Sequence, residues 1–238
     1  MRIRGEWPNP ISLRHGWARA DARPWNRSRA EAHIRLVRGS GSFLRDATAT
    51  VLSFGVPAVL SPPLMAGVQA PWRAAGFEPY TSLRLLRKTI GAEEAVARPV
   101  RLLGDRDWLR IVEIDAAAFG PDWKAELPAL QEALTSARPS ACLGIDNGTG
   151  ELAGYAIVAC SGTTGYLQRL AVHRNAQGDG VGRALTRHTH NWLRRRGARH
   201  IVLNTKPDNR AALGLYESEG YTLLPDRLEL LRFTPVGT

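Results

Sequence analysis

The run Tyr166-Leu167-Gln168-Arg169-Leu170-Ala171-Val172-His173-Arg174-Asn175-Ala176-Gln177-Gly178-Asp179-Gly180-Val181-Gly182-Arg183-Ala184-Leu185 decides how this chain is read. Its opening residues alternate well enough for a strand, with Leu and Val on the inward side. Glycines then stand at alternate positions, 178, 180 and 182, and leave successive backbone N–H groups free to converge on an anion. Beyond them Val181, Ala184, Leu185, His188, Thr189 and Trp192 recur at helical spacing, while Arg183, Arg187 and Arg194 fall on the other side. Gly197 sits where a C-terminal cap belongs. A helix opening directly on the glycines adds its own unpaired amides and the positive end of its dipole. Strand, glycine loop and capped helix together predict a ligand that carries phosphates. Glycines serving only a mobile turn would need neither flank.

The spacing narrows the ligand. A nucleotide P-loop requires G-x-x-x-x-G-K-[ST], and the chain's single Lys-Thr, Lys88-Thr89, has no glycine run before it. A dinucleotide fingerprint requires G-x-G-x-x-G and an acidic residue near position 202; neither is present. Gln-x-x-Gly-x-Gly between a strand and a helix instead resembles the acetyl-CoA pyrophosphate loop of the GNAT N-acetyltransferase superfamily, and the run from Leu170 to Leu185 is similar to that family throughout. His200–Thr205 reads as a buried strand. Asn209-Arg210-Ala211-Ala212-Leu213-Gly214-Leu215-Tyr216-Glu217-Ser218-Glu219-Gly220-Tyr221 then resembles the family's second signature, an Asn, a helix, Leu-Tyr and Gly-aromatic. The resemblance extends from about Val100 to Phe233. It implies an α/β (α+β) GNAT fold with a mixed central sheet flanked by helices.

The resemblance also implies roles. Acetyl-CoA would be the acyl donor, held by the backbone of Gln177, Gly178, Asp179, Gly180, Val181 and Gly182, with Arg183 adding charge. In the family the end of the preceding strand splays from its neighbour and offers backbone groups to the pantetheine and the thioester, which carries over to Leu170, Ala171 and Val172; one N–H there would face the developing oxyanion. Tyr216 matches the tyrosine that protonates the leaving thiolate, and a phenol near pKa 10 beside a thiolate near 8.5 is a workable donor. Packing against the sheet is its plainer role. Asn209 resembles an asparagine that contacts the cofactor arm, and it also suits a helix N-cap after Pro207-Asp208. The acceptor would be a primary amine, on a small molecule, a protein N-terminus or a lysine. Phe119 and Trp123, in the loop between the first two helices of the domain, are candidates for the acceptor's apolar wall. No base is evident: Gln168 cannot titrate, and Glu113, Asp115 and His173 compete with a water relay.

Composition bounds the rest. The chain has 238 residues and a net charge of +10. That charge tempts towards nucleic acid, but residues 101–238 carry 17 basic against 15 acidic residues, whereas residues 1–45 carry 10 Arg against 3 acids. Arginine outnumbers lysine 29 to 3, which looks like codon bias rather than a binding surface. Nucleic acid is not an expected partner. No apolar run approaches a membrane span and no hydrophobic signal core opens the chain, so a cytoplasmic protein is expected. Cys142 and Cys160 are most simply buried thiols, and His188 and His190 do not share a helix face, so no metal is expected. A homodimer is left open.

Along the chain, residues 1–33 read as a poorly ordered basic extension. Residues 34–97 repeat the C-terminal pattern in worn form: Gly55–Ser61 parallels Gly197–Asn204, Trp72–Phe77 parallels Tyr216–Tyr221, Leu83–Arg87 parallels Leu228–Arg232, and Gly39-Ser40-Gly41 takes the place of the phosphate loop. This is expected to be a degenerate GNAT-like half-domain whose Trp72 cannot do the work of Tyr216. Gly91–Pro99 reads as a linker, and residues 98–238 as the catalytic domain. That domain is expected to open with a strand at Pro99–Leu103, a helix capped by Asp105, a loop at Phe119–Trp123 and a helix near Lys124–Ser136. A hairpin then turns about Asp146-Asn147-Gly148. The rival reading is a catalytically idle module that binds acyl-CoA or a protein partner.

Overall fold

A computed structural model of the chain describes residues 1–27 and 31–235. It divides into two compact units, Met1–Arg84 with the chain from Pro225 onward, and Leu85–Leu224.

The first unit contains β1 (Arg2–Arg4), β2 (Ile11–His15), β3 (Ala18–Pro24), β4 (Ala32–Arg38), α1 (Gly41–Leu52), β5 (Val59–Leu60) and α2 (Ala70–Ala74). The strand β6 (Glu78–Thr89) begins in it. Strands β1 to β4 pair antiparallel in sequence, and β4 pairs parallel with β5 through Ala32↔Val59 and His33↔Leu60. The expected disordered extension at 1–33 is corrected here, except that residues 28–30 lie outside the described residues. Ile11 and Leu13 of β2, and Ala18, Ala20 and Ala22 of β3, are buried in one core with Phe43, Leu44 and Ala47 of α1. Alanine alternating with Arg and Asp gives weak hydrophobic contrast and little strand propensity. The covering helix, not the local sequence, makes these strands.

The second unit contains β7 (Arg101–Leu102), α3 (Trp108–Trp123), α4 (Leu127–Thr135), β8 (Ser140–Asp146), β9 (Leu152–Ser161), β10 (Thr164–Val172), α5 (Val181–Arg194), β11 (His200–Thr205) and α6 (Arg210–Ser218). Its strands run in the order β11-β10-β9-β8-β7, antiparallel except for the β10–β11 pair. Leu167, Val181, Leu185, Trp192, Leu193 and Tyr216 pack on one side. Ile111, Ile114 and Leu130 of α3 and α4 pack with Cys142, Tyr155 and Ile157 in a separate cluster. The last strand, β12 (Thr222–Phe233), leaves α6 and ends in the first unit, where Phe233 and Arg232 pair with Val59 and Leu60 of β5. So the expected boundary at 97/98 is also corrected. Both passages between units fall inside long strands, and Leu86 and Leu231 are each buried in the core that the chain enters. Leu83–Arg87 and Leu228–Arg232 look alike in sequence, so nothing local marks which core each strand fills.

Smaller differences follow local chemistry. Asp107, not Asp105, accepts the Gly104 N–H at 2.9 Å before α3. The expected loop Phe119–Trp123 is the distorted last turn of α3, broken where Gly120 takes φ +69 ahead of Pro121. Asn147 makes the expected hairpin turn, its Oδ1 accepting from the Thr149 and Glu151 amides. Both cysteines are buried and free, and burial pushes the Cys142 thiol up to about 12. Among the described residues, no helix is long and apolar enough to cross a membrane.

Candidate functional site

Strand β10 changes partners along its length. On one edge it pairs with β9 all the way from Thr164↔Ser161 to Val172↔Gly154. On the other it pairs with β11 only at Thr164, Gly165 and Tyr166, although both strands run on. The backbone of Leu170, Ala171 and Val172 is therefore not paired with β11. A bulge between Leu167 and Arg169 interrupts the β9 ladder. It brings consecutive polar residues towards the α3 and α4 side: Gln168 donates to the Ser136 hydroxyl at 2.6 Å and Arg169 reaches Asp115.

The glycine loop follows. Gly178 and Gly180 take φ +89 and +79, the left-handed region that favours glycine, and a Cβ at either would meet nothing within 4 Å. The loop is open, and its left-handed turns are ones that glycine adopts without strain. Gly180 caps α5 without a side chain, and the first helical bond runs from the Ala184 N–H to the Gly180 carbonyl at 3.0 Å. The amides ahead of it point out of the helix end, where the dipole is positive. Gly182 serves a different need: a Cβ there would stand 3.3 Å from Leu215, so its absence lets α5 close on α6. Gln177 ties the loop back to β10, its Nε2 donating to the Val172 carbonyl at 3.3 Å.

The Arg183 side chain is turned elsewhere. Its Nε lies 3.0 Å from Glu219, which also takes Arg187 at 2.8 Å, so this guanidinium joins α5 to α6 rather than facing the loop. Asn209 is an N-cap: its Oδ1 accepts from the Ala212 N–H at 3.2 Å and its Nδ2 donates to Thr205. Tyr216 is buried against Tyr221, with ring centroids 5.3 Å apart. Desolvation raises its pKa well above the ordinary phenol value, and its hydroxyl has no hydrogen-bond partner among the described residues.

Phe119 and Trp123 are both gathered by Arg169. Its guanidinium carbon stands 3.6 Å over the Phe119 ring, and its Nη2 donates to the Trp123 carbonyl at 2.7 Å. Lys206 lies 4.6 Å from the Trp123 ring centroid. Arg169 also grips Asp115 in bidentate fashion at 2.7 and 2.8 Å. Asp115 is fully buried, accepts the Ala125 N–H at 2.7 Å and takes a short hydrogen bond from Tyr155. Leaving one partner of such a pair alone costs about 3–5 kcal/mol, so Asp115 anchors α3 to β10. Glu113 is exposed and paired with Arg110, and His173 Nδ1 accepts from Asn175. Sequence reasoning did not single out Arg169 or Tyr155. The signal for Arg169 was adjacent polar residues, Gln168 and Arg169, inside an otherwise alternating strand.

Residues 108–221 match the model of the Acetyltransferase (GNAT) family. They are a GNAT acetyltransferase domain. A tandem GNAT protein from the clavulanic acid biosynthesis pathway superimposes with a TM-score of 0.67 at 13 % identity, covering 96 % of this chain and 83 % of its own. That likeness gives the GNAT fold to most of the chain, the first unit included. The GNAT domain also resembles curated proteins. Mycothiol acetyltransferase of Renibacterium salmoninarum is 29 % identical over 166 residues, covering 61 % of this chain and 49 % of that protein. N-alpha-acetyltransferase 30 of Schizosaccharomyces pombe is 40 % identical over 62 residues, covering 25 % of this chain and 41 % of that protein. The chain thus spans half or less of the length of these relatives.

Proposed function

We propose that the GNAT domain moves an acetyl group from acetyl-CoA to a primary amine by direct attack. The observation that carries this reading is the open N-terminus of α5, joined by the glycine loop to a strand that has parted from its neighbour β11. Acetyl-CoA, the family's acyl donor, supplies an acetyl thioester and a pyrophosphate. The amides from Gln177 to Gly182 would hold the pyrophosphate, and Arg183 would contribute its backbone N–H rather than its guanidinium. Asn209 would border the cofactor arm while capping α6. The unpaired backbone of Leu170, Ala171 and Val172 would align the arm, and one N–H there would face the oxyanion, a contribution worth about 3 kcal/mol.

Tyr216 holds the proton that the departing sulfur needs. Desolvation raises its pKa and keeps it protonated at neutral pH. Phe119 and Trp123 would form the acceptor's apolar wall. With Asp115, Glu113 and His173 all engaged, the amine's proton leaves through water.

The test is a thermal-shift and turnover screen with acetyl-CoA, longer acyl-CoAs and a broad amine library. Stabilisation by acetyl-CoA together with release of free CoA thiol in the presence of an amine is the expected result. Failure of every CoA thioester to bind sinks the reading. Tight binding without turnover would instead favour an acyl-CoA-binding module, a reading the engaged bases support.

A further inference from the structure

Behind Tyr216 lies a file of polar side chains that the donor site does not use. Lys88 at the end of β6, Glu94 in the segment before β7, His190 on α5 and Tyr221 just past α6 meet inside the second unit. Glu94 Oε2 stands 2.8 Å from His190 Nδ1, and the Tyr221 hydroxyl stands 2.9 Å from His190 Nε2. Lys88 Nζ donates to Glu94 Oε1 at 2.5 Å. Glu94 is pinned by its backbone as well: its N–H donates to Asn191 Oδ1 at 2.9 Å, and its carbonyl accepts from Asn191 Nδ2 at 2.8 Å. His190 and Tyr221 are buried, at 2 % and 4 % exposure.

Two groups face His190 Nδ1, Glu94 Oε2 at 2.8 Å and Lys88 Nζ at 3.4 Å, and the nearer carboxylate decides the proton. A carboxylate only accepts, so the Nδ1 that faces Glu94 carries the ring proton. Burial lowers the pKa of His190, against the pull of Glu94 and Glu219 and with the push of Lys88, and the ring stays neutral. Its Nε2 then has a free lone pair, and the Tyr221 O–H donates to it. The Tyr221 hydroxyl is committed.

Tyr221 is also the neighbour that seats Tyr216. Gly220, at φ +82, ends α6, and the Tyr221 N–H donates to the Tyr216 carbonyl at 2.9 Å. The two rings touch at 5.3 Å with a 58° tilt. A desolvated phenol without a partner takes whichever acceptor or donor is nearest. With its own partner gone, the Tyr221 hydroxyl would compete for that of Tyr216.

We propose, resting on the role given to Tyr216 above, that His190 is a positioning residue for it. By holding the Tyr221 hydroxyl, His190 leaves the Tyr216 hydroxyl free for the reaction. Glu94, held in place by Lys88 and Asn191, sets the tautomer that makes this possible.

The experiment compares kcat and KM for wild type, His190→Leu, Tyr221→Phe and the double variant, with acetyl-CoA and the best amine from the screen. His190→Leu lowers kcat about tenfold and leaves KM for acetyl-CoA unchanged, because the phosphate loop lies at the other end of α5. Tyr221→Phe alone stays near wild type, since it removes the competing hydroxyl. Added to His190→Leu, it restores kcat. A double variant no faster than His190→Leu, an unchanged kcat in His190→Leu, or a large fall in Tyr221→Phe alone overturns the proposal. Should His190→Leu not fold, Tyr221→Phe alone decides. Absence of wild-type turnover counts against the acetyltransferase reading. In that case, ring nitrogen NMR at neutral pH judges the network: a proton on Nδ1 with Nε2 accepting is expected, and the opposite tautomer overturns it.

Discussion

The N-termini of α1 and α5 begin from the same backbone plan and end as opposites. Each helix joins two strands that pair in parallel. Each opens with a bond back to its cap, Leu44 to Ser40 and Ala184 to Gly180, both at 3.0 Å. The next helix ends alike in both units, with Phe77 donating to the Trp72 carbonyl at 3.1 Å and Tyr221 to the Tyr216 carbonyl at 2.9 Å. The difference lies at the cap. Ser40 puts its own oxygen on the Phe43 N–H at 3.3 Å, and a Cβ on Gly41 would stand 2.9 Å from both the Ala74 Cβ and the Pro71 carbonyl. Helix α1 satisfies its own end and is covered by α2. At α5 the cap is a glycine and the space around Gly178 and Gly180 is empty. One side chain and one packed helix separate an open helix end from a closed one.

That contrast can be attacked from both sides. Tyr216→Phe is expected to lower kcat about 100-fold, whereas Trp72→Phe leaves kcat unchanged, since the Trp72 ring only packs edge-on against Phe77 at 5.0 Å. Equal losses in steady-state assays would end the distinction. Gly180→Val is expected to weaken acetyl-CoA binding about tenfold by calorimetry, because a β-branched residue resists the left-handed region. Its mirror, Gly41→Ala, is expected to leave that affinity intact and to cost about 1–3 kcal/mol in urea unfolding through overpacking against α2. Ser40→Ala removes only the cap and is expected to cost about 1 kcal/mol, again with no change in acetyl-CoA affinity.

Acid should act on the second unit through His190 and Glu94. Burial lowers the folded pKa of His190 below its ordinary 6.5, so its contribution is fully present above that value and is lost as pH falls below it. For Glu94, burial works against the shift, but hydrogen bonds from Lys88 and His190 outweigh it and the folded pKa lies below 4.5; that contribution fades at still lower pH. Thermal melts from neutral pH downward are expected to fall less steeply in His190→Leu than in wild type. An unchanged slope would remove His190 as the cause.

Much of the second unit was legible because its signals are local. The glycine run, the Asn147 turn and the Gly197 cap each act within a few residues, and the elements formed where those residues stand. The buried strands of the first unit were not legible. Ala18, Ala20 and Ala22 carry too little hydrophobic contrast, and their burial depends on Phe43 and Leu44 arriving from α1.

The sequence by itself determined a strand, an open glycine cap and an amphipathic helix at Thr164–Arg194, because backbone freedom and helical periodicity are properties of neighbours along the chain. Only the tertiary structure decided that Arg183 faces Glu219, that Asp115 is locked by Arg169, that β12 fills the first unit's core, and that His190 meets Tyr221. Those pairings join residues far apart in sequence. Burial makes each partner's identity matter, and burial exists only once the chain has folded.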